Sequence, residues 1–190
     1  MNKKHFNQIR IFMKKVLLSS LVVLALGSTS AMAIDGTITI NGKLTNATCK
    51  VTVDKSTTGD ATVTLPTLSV AKLAVAEATA GATNFTMKLT GCSGASKVRA
   101  FFEAGADVDA STGRLNNSSE SSEVAKNVQI QLRDEADNIL AAGNTSQRSN
   151  AATPLASGAA NLNYSARYYA TAAAEAGDVQ SSVTYSIDYE

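Results

Sequence analysis

Histidine is almost absent from this 190-residue sequence, since the single one is His5 near the N-terminus. A chain that loses His5 cannot build a Ser-His-Asp or Cys-His nucleophile, or a metal site with a histidine ligand. Paired acids remain at 107/109 and 134/135, but they stand in polar stretches without the neighbouring groups of a catalytic site. The sequence therefore predicts that the protein is not an enzyme and holds no metal or cofactor.

Residues 1–33 have the layout of a secretory signal peptide. Five basic residues and no acid come first, an apolar run over residues 16–26 follows, and Ala31-Met32-Ala33 ends the segment. A membrane anchor is the alternative, but the run is about a dozen residues long and a spanning helix needs roughly 20. We predict cleavage after Ala33 and export, which also removes His5.

The exported chain is expected to be mildly acidic. Five of the 17 basic residues leave with the signal peptide, so that 12 basic residues stand against 16 acidic ones, a net charge of −4. A chain without a basic patch has no electrostatic footprint for nucleic acid, so no nucleic-acid partner is predicted. The remaining 157 residues suffice for one domain with a core of its own.

Two cysteines, Cys49 and Cys92, remain after cleavage. An even number of cysteines in an exported chain predicts a disulfide, and two cysteines allow one connectivity. A redox or metal pair is the alternative, but the spacing is far from C-x-x-C and no other soft ligand lies nearby in the sequence. We therefore predict a Cys49–Cys92 disulfide.

Short segments of strand character recur along the chain, with polar stretches between them. They predict strands over residues 47–53, 63–65, 85–89, 98–103, 128–133, 162–168 and 183–189. The third is expected to end near Thr90, with Gly91 as a turn residue. Residues 54–60, 110–123, 134–154 and 171–180 predict loops, and the alanine-rich residues 69–82 a helical turn. Several short strands with polar connections indicate an all-β sandwich.

The residues after the signal peptide alternate in a phase of their own. Even positions hold Ile or Leu, with glycines, up to Leu44, whereas the apolar residues from Ala47 to Val53 are at odd positions. A shift of one residue sends side chains to the opposite face of a sheet. Two interpretations follow from the residues alone: a β-bulge in one long first strand, or a leading strand that packs elsewhere.

Four motifs in order resemble those of type 1 fimbrial subunits of the chaperone–usher family. They are GTITINGKLTNATC at 36–49, TMKLTGC at 86–92, ARYYAT at 166–171 and VTYSIDYE at 183–190. Gly177 stands fourteenth from the end, where that family carries a glycine. The resemblance covers essentially the whole mature chain. One departure is the short leader, since only Ile34 and Asp35 precede Gly36.

The resemblance implies an incomplete immunoglobulin-like sandwich that lacks its last strand and is completed by a donor strand from a neighbouring subunit. It divides the chain into residues 1–33, a donor extension at 34–44 and a pilin domain at 45–190. The donor strand would contain Ile34, Gly36, Ile38, Ile40 and Gly42. The groove edge facing the chaperone would contain Gly177, Val183, Tyr185, Ile187 and Tyr189.

The partners implied by the resemblance are identical or related pilin subunits, a periplasmic chaperone and an outer-membrane usher. The chain would cross the periplasm and join a head-to-tail surface fibre that supports adhesion. The alternatives are a minor adaptor pilin, or a monomeric exported sandwich that binds a ligand. A tip adhesin is disfavoured because 157 residues leave no room for a second, lectin domain.

Overall fold

The computed structural model describes residues 37–190, and the predicted signal peptide lies outside them. Residues from Leu44 to Glu190 form one compact unit. Its nine strands are β1 (Thr48–Val53), β2 (Thr79–Ser93), β3 (Lys97–Phe102), β4 (Leu115–Asn116), β5 (Val128–Asp134), β6 (Ile139–Leu140), β7 (Thr153–Pro154), β8 (Ala160–Ala170) and β9 (Tyr185–Tyr189). Two 3₁₀ turns cover Val70–Leu73 and Thr145–Ser149.

The strands form two antiparallel sheets. The larger sheet has the order β1-β2-β8-β5-β4, with β6 also paired to β5. The smaller sheet has the order β7-β3-β9, so that the last strand of the chain lies at its edge. None of the helical turns within residues 37–190 has the length and apolar character needed to span a bilayer.

The core lies between the two sheets and is built from alternate residues of the strands. Phe85, Met87 and Leu89 of β2 are buried together with Val98 and Phe102 of β3. Side chains of β5 and β8 complete the same cluster, including Ile130, Leu132, Leu162, Tyr164 and Ala166. Burial of alternate residues is what period-two strands predict, and the prediction of an all-β sandwich is confirmed.

Strand β2 is longer than the sequence pattern predicted. It begins at Thr79 rather than near Phe85, and it continues through Cys92, so the prediction of a turn at Gly91 is wrong. Gly81 and Gly91 have φ angles of 70° and 64°, and the strand pairing shifts register at both positions. At each position two residues of β2 lie opposite one residue of the neighbouring strand, and the first of the two is a glycine with positive φ. This arrangement is a β-bulge, which bends a strand without ending it.

Two further predictions are corrected by the structure. Residues 63–65 form no strand, because no described strand pairs with them. The predicted loops at 110–123 and 134–154 contain β4, β6, β7 and a 3₁₀ turn, and they bury Leu115, Leu140 and Gln147. These segments are tied to the sheets by two-residue pairings, which are too short to display a period in the sequence.

Candidate functional site: the last strand and its open edge

The predicted disulfide is present and joins the first two strands. Cys49 of β1 and Cys92 of β2 are bonded, with 4.2 Å between their Cα atoms. The bond lies at the β-bulge, where Gly91 and Cys92 together oppose Cys49. The disulfide therefore fixes the register of β1 at a point where the backbone pairing is irregular.

The side chains of β9 that were predicted to line a groove face the core. Tyr185, Ile187 and Tyr189 are half-buried and pack against the main core cluster, as does Val183 just before the strand. Ser186 and Asp188, at the positions between them, engage Glu103 and Arg148 on the outer face. The strand thus presents one apolar and one polar face, as its sequence alternation predicted.

The backbone of β9 is hydrogen-bonded on one side. Glu190 exchanges both backbone bonds with Lys97, and Thr184 accepts a bond from the N–H of Glu103. Because paired residues in an antiparallel ladder alternate, the even-numbered residues of β9 face β3. The N–H and C=O groups of Tyr185, Ile187 and Tyr189 consequently point to the other side, where no described strand lies.

On the opposite side of the smaller sheet, the backbone of β3 is bonded partly by β7 and partly by side chains. Strand β7 pairs only with Lys97 and Val98 of β3. Beyond it, the hydroxyl of Tyr164 accepts a bond from the N–H of Ala100 at 3.0 Å. The side-chain amide of Gln147, itself buried, bonds both the N–H and the C=O of Phe102, at 3.0 and 2.9 Å. Side chains therefore bond three backbone groups of the β3 edge, the N–H of Ala100 and the N–H and C=O of Phe102, whereas no side chain bonds the backbone of the β9 edge.

A second stretch of unpaired backbone borders the same core. Residues 61–68 follow β1 and contain Val63 and Leu65, which are half-buried and pack against the core cluster. No backbone hydrogen bond joins this stretch to another described residue. The hydroxyl of Tyr185 donates to the C=O of Gly59 at 2.7 Å, which brings the start of the stretch next to β9. Burial raises the pKa of Tyr185, so its hydroxyl keeps the proton that it donates.

Gly177 lies eight residues before β9, away from the strand itself. A Cβ atom at this position would lie 2.3 Å from the backbone N of Ala125 and 2.5 Å from the backbone C of Val124. Its φ of 153° is also one that other residues rarely adopt. The structure places Gly177 at a close backbone approach, and its assignment to the groove edge stays a prediction.

The N-terminal extension exposes its apolar side chains. Ile38 and Ile40 are 89% and 90% exposed, and Gly42 has no atom within 4 Å of where its Cβ would stand. Residues 37–47 have no secondary structure. Ile34 and Gly36, the first predicted donor residues, lie outside the described residues. Large exposed apolar side chains are typical of surfaces that bind another chain.

Among residues 37–190, no three His, Cys, Asp or Glu side chains form a group that could hold a metal ion. The paired acids at 107 and 109 bond separate partners. The carboxylate of Asp107 accepts bonds from the N–H and hydroxyl of Ser182, and that of Asp109 from Ser111 and Gln129. Both carboxylates thus hold loops in place.

Comparison with known sequences agrees with this architecture. A profile of the type-1 fimbrial protein, A, matches residues 65–190. The major fimbrial subunit SMF-1 of Stenotrophomonas maltophilia is 47% identical over 174 residues, which cover 88% of this chain and 99% of that protein. The F17 fimbrial protein of Escherichia coli is 41% identical over 177 residues, covering 89% and 95% of the two chains.

Solved structures share the fold at low sequence identity. A chaperone–usher pilus structure matches with a TM-score of 0.56 at 18% identity, over 82% of this chain and 95% of the other. The P pilus rod subunit PapA matches with a TM-score of 0.56 at 16% identity, over 75% and 99%. The two-sheet fold, in which one edge of the last strand is open, is therefore the incomplete immunoglobulin-like sandwich of pilus subunits. The chain belongs to the type-1 fimbrial protein family and is a structural subunit of a fimbria.

Proposed function

We propose that the open edge of β9 is the acceptor for a strand from a neighbouring subunit, and that residues 34–44 are the strand this chain donates. The observation that carries the proposal is the contrast between the two edges of the smaller sheet. Tyr164 and Gln147 bond three backbone groups of the β3 edge, whereas three residues of β9 keep both backbone groups unpaired. An open edge beside apolar side chains is a template for adding a strand.

The donor segment has the properties that such an edge requires. Its apolar residues alternate, so that one face of an added strand would carry Ile34, Ile38 and Ile40 towards the core. Gly36 would stand where a pocket is shallow, and Gly42 lies on the same face. The opposite, polar face carries Thr37, Thr39 and Asn41, which suits a face turned to water. Repeated donation from one copy to the next is a head-to-tail contact that does not close, and it produces a filament.

The same edge explains why partners are needed before assembly. A subunit with an open strand edge beside partly exposed apolar side chains tends to aggregate. We propose that a periplasmic chaperone covers the edge at Val183, Tyr185, Ile187 and Tyr189 after export and removal of residues 1–33. An outer-membrane usher would then exchange the chaperone for the donor strand of the next subunit. The division into residues 1–33, 34–44 and 45–190 belongs to this proposal, as does the absence of enzymatic activity.

Amide exchange tests the proposal on residues 45–190, the domain without the donor segment, so that no copy can donate a strand to another. Adding a peptide of residues 34–44 is expected to raise the melting temperature and to protect the amides of Tyr185, Ile187 and Tyr189. The amides of Ser186 and Asp188, which face β3, serve as internal controls, since they are protected with or without peptide. A chain that is stable and monomeric without the peptide, with no new protection on β9, would instead support a ligand-binding sandwich.

A further inference from the structure

Asn41 is the only asparagine in the sequence that is followed by glycine. The backbone nitrogen of the residue after an asparagine can attack the side-chain carbonyl carbon, Cγ, and close a five-membered imide ring. A Cβ atom on that following residue crowds the approach and restricts the backbone, whereas glycine has none. The pair Asn41-Gly42 is therefore the place in this chain where such a ring closes most easily.

The structure leaves this pair able to reach the geometry that ring closure needs. Asn41 and Gly42 are exposed, and they lie in the N-terminal extension, which has no secondary structure. A Cβ atom at Gly42 would meet no atom within 4 Å, so nothing packs against the backbone at that point. No backbone group in residues 37–190 accepts a hydrogen bond from the N–H of Gly42. The attacking nitrogen is thus open to solvent.

Asparagines of the folded domain are held in place by hydrogen bonds. The side-chain amide of Asn117 donates to the C=O of Ala125 and of Asp178, at 3.0 and 2.9 Å. That of Asn127 donates to the C=O of Ala173 at 2.9 Å. The residue that follows each of these asparagines also carries a Cβ atom. Both features keep Cγ away from the next backbone nitrogen, and neither is present at position 41.

We propose that Asn41 is a site of spontaneous deamidation in subunits that have not yet donated their strand, and that the modified extension is a poorer donor. The nitrogen of Gly42 gives up its proton and forms a bond to Cγ of Asn41. The bond between Cγ and Nδ2 breaks, and ammonia leaves with that proton. Water then adds to one of the two imide carbonyls, and the ring opens to aspartate or to isoaspartate. The reaction consumes water and needs no oxidant, reductant or enzyme.

The inference rests on the proposed function, in which residues 34–44 become a strand in the next subunit. A paired strand holds its backbone at extended dihedral angles and so keeps the ring from closing, which means that donation should protect Asn41. Isoaspartate routes the main chain through its own Cβ, and the extra carbon atom breaks the regular spacing of ladder hydrogen bonds. A modified extension therefore pairs with β9 over a shorter stretch, and deamidation favours newly made subunits for assembly.

Mass spectrometry of two pools of subunits tests the protection. Unassembled subunits from the periplasm and assembled fibres are incubated at the same mildly alkaline pH, and aspartate and isoaspartate are measured at each asparagine. Asn41 is expected to convert about tenfold faster in unassembled subunits than in fibres, a difference of about 1.4 kcal/mol in the barrier.

Asn46 is the internal control, because it is exposed in the same stretch but is followed by Ala47. It should convert slowly in both pools, and Gly42→Ala should slow the conversion of Asn41 in unassembled subunits to the rate of Asn46. Equal rates at Asn41 in the two pools would overturn the proposal. So would equal rates at Asn41 and Asn46 in wild-type unassembled subunits.

Donor peptides keep this inference separate from the proposed function. Peptides of residues 34–44 with asparagine or isoaspartate at position 41 are added to residues 45–190, and protection of the β9 amides is measured. The isoaspartyl peptide should need about tenfold more concentration for the same protection, which corresponds to about 1.4 kcal/mol. The Asn41→Asp peptide has the same charge on an ordinary backbone, and it should protect better than the isoaspartyl peptide. Equal protection by the isoaspartyl and asparagine peptides would overturn this inference alone. Absence of protection by the asparagine peptide would overturn the proposed function, and the role in selecting donors with it.

Discussion

The hydroxyl of Tyr164 accepts a hydrogen bond from the backbone N–H of Ala100 at 3.0 Å and thereby joins the larger sheet to the smaller one. The ring of Tyr164 packs edge-on against Phe102, with 5.2 Å between the ring centroids, and also contacts Phe85. One buried side chain thus fills the core and satisfies a backbone group that β7 does not reach.

Replacing Tyr164 by Phe tests the polar half of this role, because the ring is kept and only the hydroxyl is lost. The N–H of Ala100 would then be buried without a partner, and the free energy of unfolding should fall by about 1–3 kcal/mol. Tyr168→Phe is the control, since the hydroxyl of Tyr168 has no hydrogen-bond partner among the described residues. Urea unfolding of the subunit complemented with the donor peptide measures both, and equal losses would contradict the account.

The disulfide predicts a large loss of stability when it is removed. Replacing Cys49 and Cys92 together by Ala should lower the free energy of unfolding by roughly 2–5 kcal/mol, the usual range for small secreted domains. The two cysteines are 43 residues apart, so the bond closes a long loop in the unfolded chain and lowers the conformational entropy of that chain. The wild-type protein unfolded under reducing conditions is the control and should match the double variant. Two free thiols in native fibres would reject the bond.

Gly177→Ala should destabilise the subunit by more than about 1 kcal/mol, because alanine tolerates neither its backbone angle nor its surroundings. The added Cβ would lie 2.3 Å from the backbone N of Ala125. Gly105→Ala is the matched control, since its Cβ would meet no atom within 4 Å. Thermal unfolding of the peptide-complemented subunits compares them. A stable Gly177→Ala variant that fails only to bind the chaperone would favour the groove-edge role instead.

We expect the Asp107 carboxylate to contribute a small part of the stability, which is lost at acidic pH. The hydroxyl of Ser182 donates to its carboxylate and lowers the pKa of Asp107 below its ordinary value. Because folding lowers this pKa, the stabilisation is present above about pH 3.9 and is lost as the pH falls towards the folded value. Asp107 is only partly buried and its hydrogen bonds to Ser182 are exposed to water, so the effect should be below about 1 kcal/mol. In Asp107→Asn the melting temperature should depend less on pH between about pH 5 and pH 2, and an unchanged dependence would exclude this contribution.

Much of the fold was predictable because a strand with one buried face shows apolar residues at every second position of its sequence. The alternation at 128–133 and 162–168 predicted the buried faces of β5 and β8, and two cysteines in an exported chain predicted one disulfide. The resemblance to fimbrial subunits, and not the alternation, indicated that β9 borders a groove. That the backbone on the far side of β9 is unpaired could be recognised only from the structure. There the hydrogen bonds between Lys97 and Glu190 and between Glu103 and Thr184 show which side of the strand faces β3.

Other features left no readable signal in the sequence. Val63 and Leu65 alternate like a strand, yet pairing depends on a neighbour that the sequence does not reveal. Strands of two residues, such as Leu115–Asn116, cannot show a period at all. Gly91 was interpreted as a turn because glycine signals both turns and bulges, and only the register of β1 against β2 distinguishes them. Tyr164 and Gln147 hydrogen-bond the backbone of β3 from positions distant in the sequence, so these contacts could not be predicted.

The most direct measurement of the central claim compares Ile38→Asp with Thr39→Asp in cells that assemble fibres. These neighbours point to opposite faces of an added strand, and both are exposed in the subunit that carries them. Ile38→Asp would bury an unpaired carboxylate in the groove of the next subunit, which is costly. The amount of polymer seen as ladders from unboiled fibres should therefore fall tenfold or more, because a tenfold change in the binding equilibrium corresponds to only about 1.4 kcal/mol. Thr39→Asp should leave the ladders nearly unchanged, and both variants should accumulate normally with the chaperone. Ladders of wild-type length from Ile38→Asp, or loss of the folded subunit itself, would contradict the account.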